Sequence, residues 1–184
     1  NAGRICDAYG LLKGHTVQQS DAQQAYTQAP FRGEPTWVRL PREYWPPGWE
    51  GVNDPVCPLV KALYGHPDSG GYWELHCETL LEEAGFQSLR RVNWPSCFWH
   101  KRFKLLLTVY VDDFKMAGPK ASLVKGWKLI REGLDVDDLA PVDRCLGCHH
   151  SVCDGKVNGK PVRIMQFKVE SIMQSCVQAY KDLC

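Results

Sequence analysis

Residues 105–118 read LLLTVYVDDFKMAG, and the Tyr110-Val111-Asp112-Asp113 core of that stretch decides how the rest of the chain is read. An apolar run on each side, broken by two adjacent carboxylates, describes a β-hairpin with a charged apex. Leu105, Leu106, Leu107, Thr108 and Val109 are apolar or β-prone on both faces, as expected of a strand covered on both sides. Such surroundings penalise ionised carboxylates by on the order of several kcal/mol unless a partner is present. A divalent cation is the simplest partner. Hard oxygen ligands select Mg²⁺ or Mn²⁺, and a pair of such ions clamps the attacking and leaving oxygens of a phosphoryl transfer. The four letters alone fit an exposed Asp-Asp turn without function equally well.

Outward from the hairpin, the pattern predicts a short helix over residues 3–13, stopped by Lys13-Gly14. A strand over Thr16 to Gln24 carries Asp21. Residues 30–51 are rich in Pro, Gly and Trp and read as loop with one strand over Thr36 to Leu40. A helix is expected over Ser69 to Ala84, with Trp73, Leu75 or His76, Leu80, Leu81 and Ala84 as its apolar stripe and Gly85 as its cap. Strands follow at Ser96 to His100 and Lys104 to Tyr110, with Phe114 to Ala117 completing the hairpin. Leu123 to Leu134 reads as an amphipathic helix. Two more strands, Cys145 to Cys153 and Val162 to Phe167, carry turn signals at Asp154-Gly155 and Asn158-Gly159, and a last helix runs from Lys168 to Leu183. Strands and helices alternate irregularly. The fold class is therefore α+β, an antiparallel sheet with helices packed on one face.

With 184 residues and 44% hydrophobic content, the chain can bury one core and reads as a single domain. Its 22 basic and 21 acidic residues leave a net charge of +1, which lacks the basic surplus of a stand-alone nucleic-acid binder. Any grip on nucleic acid would have to come from local patches or from segments outside the chain. No apolar run is long enough to span a membrane. The start shows no secretory or transit signature. It begins with Asn rather than Met, so a segment of something longer is expected.

Nine cysteines run from Cys6 to Cys184, odd in number and without the dense spacing of a secreted scaffold. Reduced thiols in an intracellular protein are expected. Cys145, Cys148 and Cys153 form the one cluster with metal-ligand character, and zinc is its candidate ion. A strand through those residues points alternate ones to opposite faces, which weighs against it.

Several blocks resemble, in order, the reverse transcriptase of copia-type LTR retrotransposons, an RNA-directed DNA polymerase. Gln19-Ser20-Asp21-Ala22-Gln23-Gln24-Ala25-Tyr26 is similar to the family's first catalytic strand, an Asp followed five residues later by an aromatic. Trp37-Val38-Arg39-Leu40-Pro41 and Pro46-Pro47-Gly48 are similar to its short strand and turn. Val60-Lys61-Ala62-Leu63-Tyr64-Gly65 with Trp73, then Gly85-Phe86 and Ser96-Cys97-Phe98, lead into the Tyr-Val-Asp-Asp hairpin. Leu146-Gly147 and Gln166 complete the series.

The resemblance implies a polymerase palm with truncated fingers and no thumb, RNase H or integrase. Within one palm-type domain over 1–184, partial fingers fall in 1–60 and the palm in 61–184. It implies that Asp21, Asp112 and Asp113 converge on Mg²⁺ or Mn²⁺ for two-metal addition of dNTPs to an RNA- or DNA-templated primer. Tyr26 would select deoxyribose and Tyr110 would press on the template or primer end; each is otherwise a plain packing aromatic. One departure stands out. The family's Leu-Lys-Gln-Ala-Pro-Arg run is replaced by His66-Pro67-Asp68-Ser69-Gly70-Gly71, and Asp68 in place of Gln would repel a triphosphate. The other expectation is a catalytically idle palm serving as an interaction subunit for protein partners. The Trp37, Trp45 and Trp49 loop would anchor it, unless those rings simply pack beneath their own loop.

Overall fold

The computed structural model describes residues 2–145 and 147–183. Leu146, half of the expected Leu-Gly pair, and Cys184 lie outside the described residues. The elements run α1 (Ala2–Gly10), β1 (His15–Asp21), α2 (Ala25–Gln28), β2 (Trp37–Arg39), β3 (Val56–Pro58), α3 (Ser69–Glu83), β4 (Gln87–Ser88), β5 (Cys97–His100), β6 (Leu105–Tyr110) and β7 (Asp113–Pro119). They continue with α4 (Lys120–Arg131), β8 (Ala140–Pro141), β9 (Arg144–Cys145), β10 (Cys148–Val157), β11 (Lys160–Lys168) and α5 (Glu170–Leu183). This is a mixed α and β fold whose sheets are antiparallel. It divides into two compact units, Asn1–Gln23 with Leu80–Cys184, and Gln24–Thr79. Within the larger unit β1 pairs with β7, which is far from it in sequence.

The larger unit is built on a six-stranded sheet of order β4-β5-β6-β7-β1-β8. Helices cover it on both faces, a correction to the one-face expectation. On one face, Cys6 of α1 packs with Val17, Leu106 and Ala117. On the other, α4 comes so close that a Cβ on Gly126 would lie 2.4 Å from Leu105 Cδ1 and 2.9 Å from Met116 Sδ. Trp127 Nε1 donates to Gln18 Oε1 at 3.1 Å on that same side. The run Leu105-Leu106-Leu107 is buried throughout for this reason, since successive strand residues face opposite helices. Leu123, Trp127 and Ile130 of α4 are each about 1% exposed, and burial of such side chains contributes roughly 1.5–3 kcal/mol apiece.

The end of α3 follows from Gly85, whose φ of +86° is the left-handed conformation that a side chain disfavours. Phe86 N–H donates to the Leu81 carbonyl and Gly85 N–H to the Glu82 carbonyl, both at 2.9 Å, a Schellman closure. The buried stripe of the helix is Trp73, Cys77 and Leu81, whereas Leu75 is exposed. Trp73 and Leu81 were expected in that stripe, whereas Cys77 was missed because cysteine was not counted as a core residue.

A second sheet, β9-β10-β11, is a long hairpin turned at Asn158-Gly159, with both residues at positive φ. Asp154-Gly155, expected as a second turn, instead lies inside β10 opposite Arg163 and Val162. In the unit Gln24–Thr79, β2 and β3 pair as a small two-stranded sheet. The strand β3 was not anticipated, since its three residues sit inside a Pro-rich stretch.

Candidate carboxylate site

The face of the large sheet under α1 is organised in rows, because residues directly opposite in an antiparallel pair share a face. The first row is Leu106, Ala117 and Val17, and it is apolar core. Next come Thr108, Lys115 and Gln19. The last is Tyr110, Asp113 and Asp21, at the end of the sheet. The chain thus passes along one face from core, through one buried charge, to carboxylates.

Asp21 closes β1 and Asp113 opens β7, so their register pairing sets two carboxylates side by side. Asp112 sits in the two-residue turn between β6 and β7. Its carbonyl accepts from Ala22 N–H at 2.8 Å, tying the turn to the residue after Asp21. Val111, the other turn residue, has φ of +55°, strained for a β-branched side chain. Burial, followed by the charges of Asp21 and Asp112 and a hydrogen bond with Asp21, raises the Asp113 carboxyl above the ordinary carboxylate range; Lys115 acts in the opposite sense. Tyr110 completes the row and is 62% exposed. Beside Asp21, the segment after α4 is bound in by Asp137 N–H to Asp21 O at 2.8 Å and Ser20 Oγ to Asp137 O at 2.7 Å.

Lys115, Asp7, His150 and Gln19 were not singled out in the sequence for this site. Lys115 is buried and places Nζ 3.0 Å from both Asp7 carboxylate oxygens. Asp7 is itself 1% exposed, and His150 Nε2 stands 3.5 Å from its Oδ2. Gln19 donates through Nε2 to Arg144 O at 3.0 Å, while its Oε1 is buried without a hydrogen bond. The available signal was parity: Lys115 and Asp113 are two apart on one strand, hence on one face.

Among the described residues, no three His, Cys, Asp or Glu side chains are already drawn together around a metal-sized space. Asp21, Asp112 and Asp113 nevertheless suit a hard divalent ion in kind. They offer only oxygen donors, and their mutual repulsion at Asp113 is what a cation relieves. Of the zinc candidates, Cys145 and Cys148 are register partners, but Cys153 lies five residues along β10 opposite Ile164. An odd separation turns it to the other face. Every cysteine among the described residues is free.

In the unit Gln24–Thr79, Tyr26 follows the left-handed Gln24 and stacks on Tyr64 with ring centroids 4.5 Å apart. Burial, then the nearby Asp68 carboxylate of the departing His66–Gly71 run, raise the Tyr72 hydroxyl. Trp45 is also held locally, with Nε1 donating to Leu40 O at 3.0 Å and Arg42 over its ring at 5.6 Å. Trp37 is 55% exposed.

The antiparallel sheet thus presents three aspartates, one from a strand end and two from the neighbouring hairpin. The sequence profile described as reverse transcriptase (RNA-dependent DNA polymerase) matches residues 3–175, and the chain belongs to that family, in its copia-type branch. Among its relatives are the Transposon Ty1-DR4 and Transposon TyH3 Gag-Pol polyproteins and the Truncated transposon Ty1-A Gag-Pol polyprotein, all of Saccharomyces cerevisiae. Each is 30% identical over 104 residues, 56% of this chain. The match spans 6%, 5% and 8% of those relatives, respectively. No helix among the described residues is long and apolar enough to cross a membrane.

Proposed function

We propose that this chain supplies the palm core of a copia-type retrotransposon reverse transcriptase, adding dNTPs to a primer on an RNA or DNA template. The observation that carries this reading is the register pairing of Asp21 with Asp113, with Asp112 in the adjoining turn. Asp21, Asp112 and Asp113 hold the divalent ions. Mg²⁺ or Mn²⁺, when bound, supplies activation of the primer 3′-hydroxyl and neutralises charge on the triphosphate. The strained Val111 turn fixes Asp112 at the tip, and the sheet register fixes the other two carboxylates. Tyr110 abuts the primer end. Tyr26 is the residue that discriminates deoxyribose from ribose. The fingers and thumb that grip template belong to neighbouring parts of a longer polyprotein.

The test is Mg²⁺-dependent primer extension on an RNA template, with the flanking polymerase segments restored. Asp112→Asn and Asp113→Asn are each expected to lower extension by roughly 100-fold or more. No extension from the parent, with flanks present, would sink the catalytic reading. One observation favours the second reading, a palm retained for protein partners: α5 has no buried residue and exposes Met173, Val177 and Tyr180 along one side. That reading predicts stable co-purification with protein partners and no extension.

A further inference from the structure

A lysine two residues from a carboxylate on the same strand face is placed to compete with any cation that the carboxylate binds. Cα atoms so spaced are roughly 7 Å apart, within reach of a lysine side chain. Lys115 bears this relation to Asp113, and it also faces Gln19, next to Asp21. It does not turn toward them. Its Nζ is held by both oxygens of Asp7 at 3.0 Å, beneath α1, with both residues at least nine-tenths buried. The helix leaves it little freedom, since a Cβ on Gly3 would lie 3.3 Å from Nζ. His150, whose Nδ1 is 2.9 Å from the Cys148 carbonyl and whose ring meets Phe167 edge-on, holds Asp7 from the other side.

We propose that Asp7 is a positioning residue for the carboxylate site: it draws the Lys115 ammonium away from Asp113 and cancels its charge, which keeps Asp21 and Asp113 open to a divalent cation. A buried ion pair contributes little net stability compared with an apolar pair of similar volume. Its place here, one row beneath the carboxylates, assigns it an electrostatic task. The inference rests on the reading that Asp21, Asp112 and Asp113 bind divalent ions.

Mn²⁺ binding to the 184-residue chain, followed by the loss of its free paramagnetic signal, tests both. Asp7→Asn frees Lys115 to pair with Asp113, and the Mn²⁺ dissociation constant is expected to rise about tenfold, the effect of one close like charge. Asp7→Asn with Lys115→Met removes both charges and is expected to bind within about twofold of the parent. Unchanged affinity in Asp7→Asn overturns the proposal. So does weak binding that Lys115→Met does not restore, which would mark the pair as purely structural. If Asp7→Asn does not fold, the double variant decides alone, since loss of Mn²⁺ affinity there is incompatible with a charge-cancelling pair. Failure of the underlying reading looks different: the parent binds no Mn²⁺, or binding survives Asp113→Asn.

Discussion

Asp21 and Asp113 are register partners at the ends of β1 and β7, which sets their side chains next to each other on one face of the sheet. Burial, followed by the neighbouring charges of Asp21 and Asp112, raises the Asp113 carboxyl above the ordinary carboxylate range. The sheet register therefore places electrostatic repulsion at the end of β1 and the start of β7.

That repulsion has a definite sign in stability. The Asp113 carboxyl is raised, so its contribution to folding is complete below the unfolded carboxyl value of about 3.9 and is lost as pH rises through the folded value. Asp113→Asn cannot ionise. In chelator at pH 7 it is expected to melt higher than the parent by no more than a few degrees, since Asp113 is half-buried and partly screened. The two melting curves should converge as pH falls toward 4. A difference that stays constant over that range would show that ionisation at Asp113 is not its cause.

Val111 offers a second test, in the backbone. A β-branched residue at φ of +55° carries strain of roughly 1–3 kcal/mol, which exceeds the ~0.5–1 kcal/mol entropic cost of glycine. Val111→Gly should raise unfolding free energy by about 1 kcal/mol in urea titration, whereas Val111→Ile should give no gain. Loss of stability in the glycine variant would mean the Val111 side chain does more in the fold than its 43% exposure implies.

The hairpin was legible because its chemistry is local: two acidic residues between apolar runs leave few alternatives. Strand β1 was legible for the same reason, with Asp21 at its end rather than its middle, since Ala22 leaves the ladder for Val136. What could not be read were partnerships set by long-range pairing. Nothing near Asp7 in sequence announces Lys115, 108 residues away, and an acid in a short helix reads as surface until the sheet beneath it is known. The single-face expectation failed although Leu105, Leu106 and Leu107 already argued for cover on both sides. Likewise, Asp154-Gly155 carries turn chemistry, but register with Arg163 and Val162 overrode it.

Close packing of α4 beneath the hairpin gives a steric prediction. Gly126→Ala would set a methyl 2.4 Å from Leu105 Cδ1, and the required shift should cost about 1–3 kcal/mol. Gly71→Ala, on α3 with nothing within 4 Å, should instead stabilise by up to about 1 kcal/mol through helix propensity. Urea titration of both variants separates the two effects. Equal behaviour would mean that α4 is not seated against Leu105 and Met116.

The last prediction concerns what fastens the β10-β11 hairpin to the large sheet's unit. Arg163 of β11 directs Nη1 to the carbonyls of Gly10, Leu11, Leu12 and His15, at 3.3–3.4 Å each. Gly10 ends α1, Leu11 and Leu12 follow it and His15 opens β1, so the cation meets the negative end of the helix dipole and the turn that leads into β1. One guanidinium nitrogen cannot fully satisfy four oxygens, so the contact is a shared cradle rather than four full hydrogen bonds. Arg163→Met keeps the aliphatic stem against Met165 and Val152, which line the same 90 Å³ cavity, and removes only the cap. A loss of about 1 kcal/mol is expected in urea titration, with Arg163→Lys retaining part of it. Amide exchange should also quicken at Leu11 and Leu12, whose N–H groups close the last turn of α1. Unaltered stability and exchange in Arg163→Met would show that α1 closes without this arginine and that the hairpin is held by its apolar contacts alone.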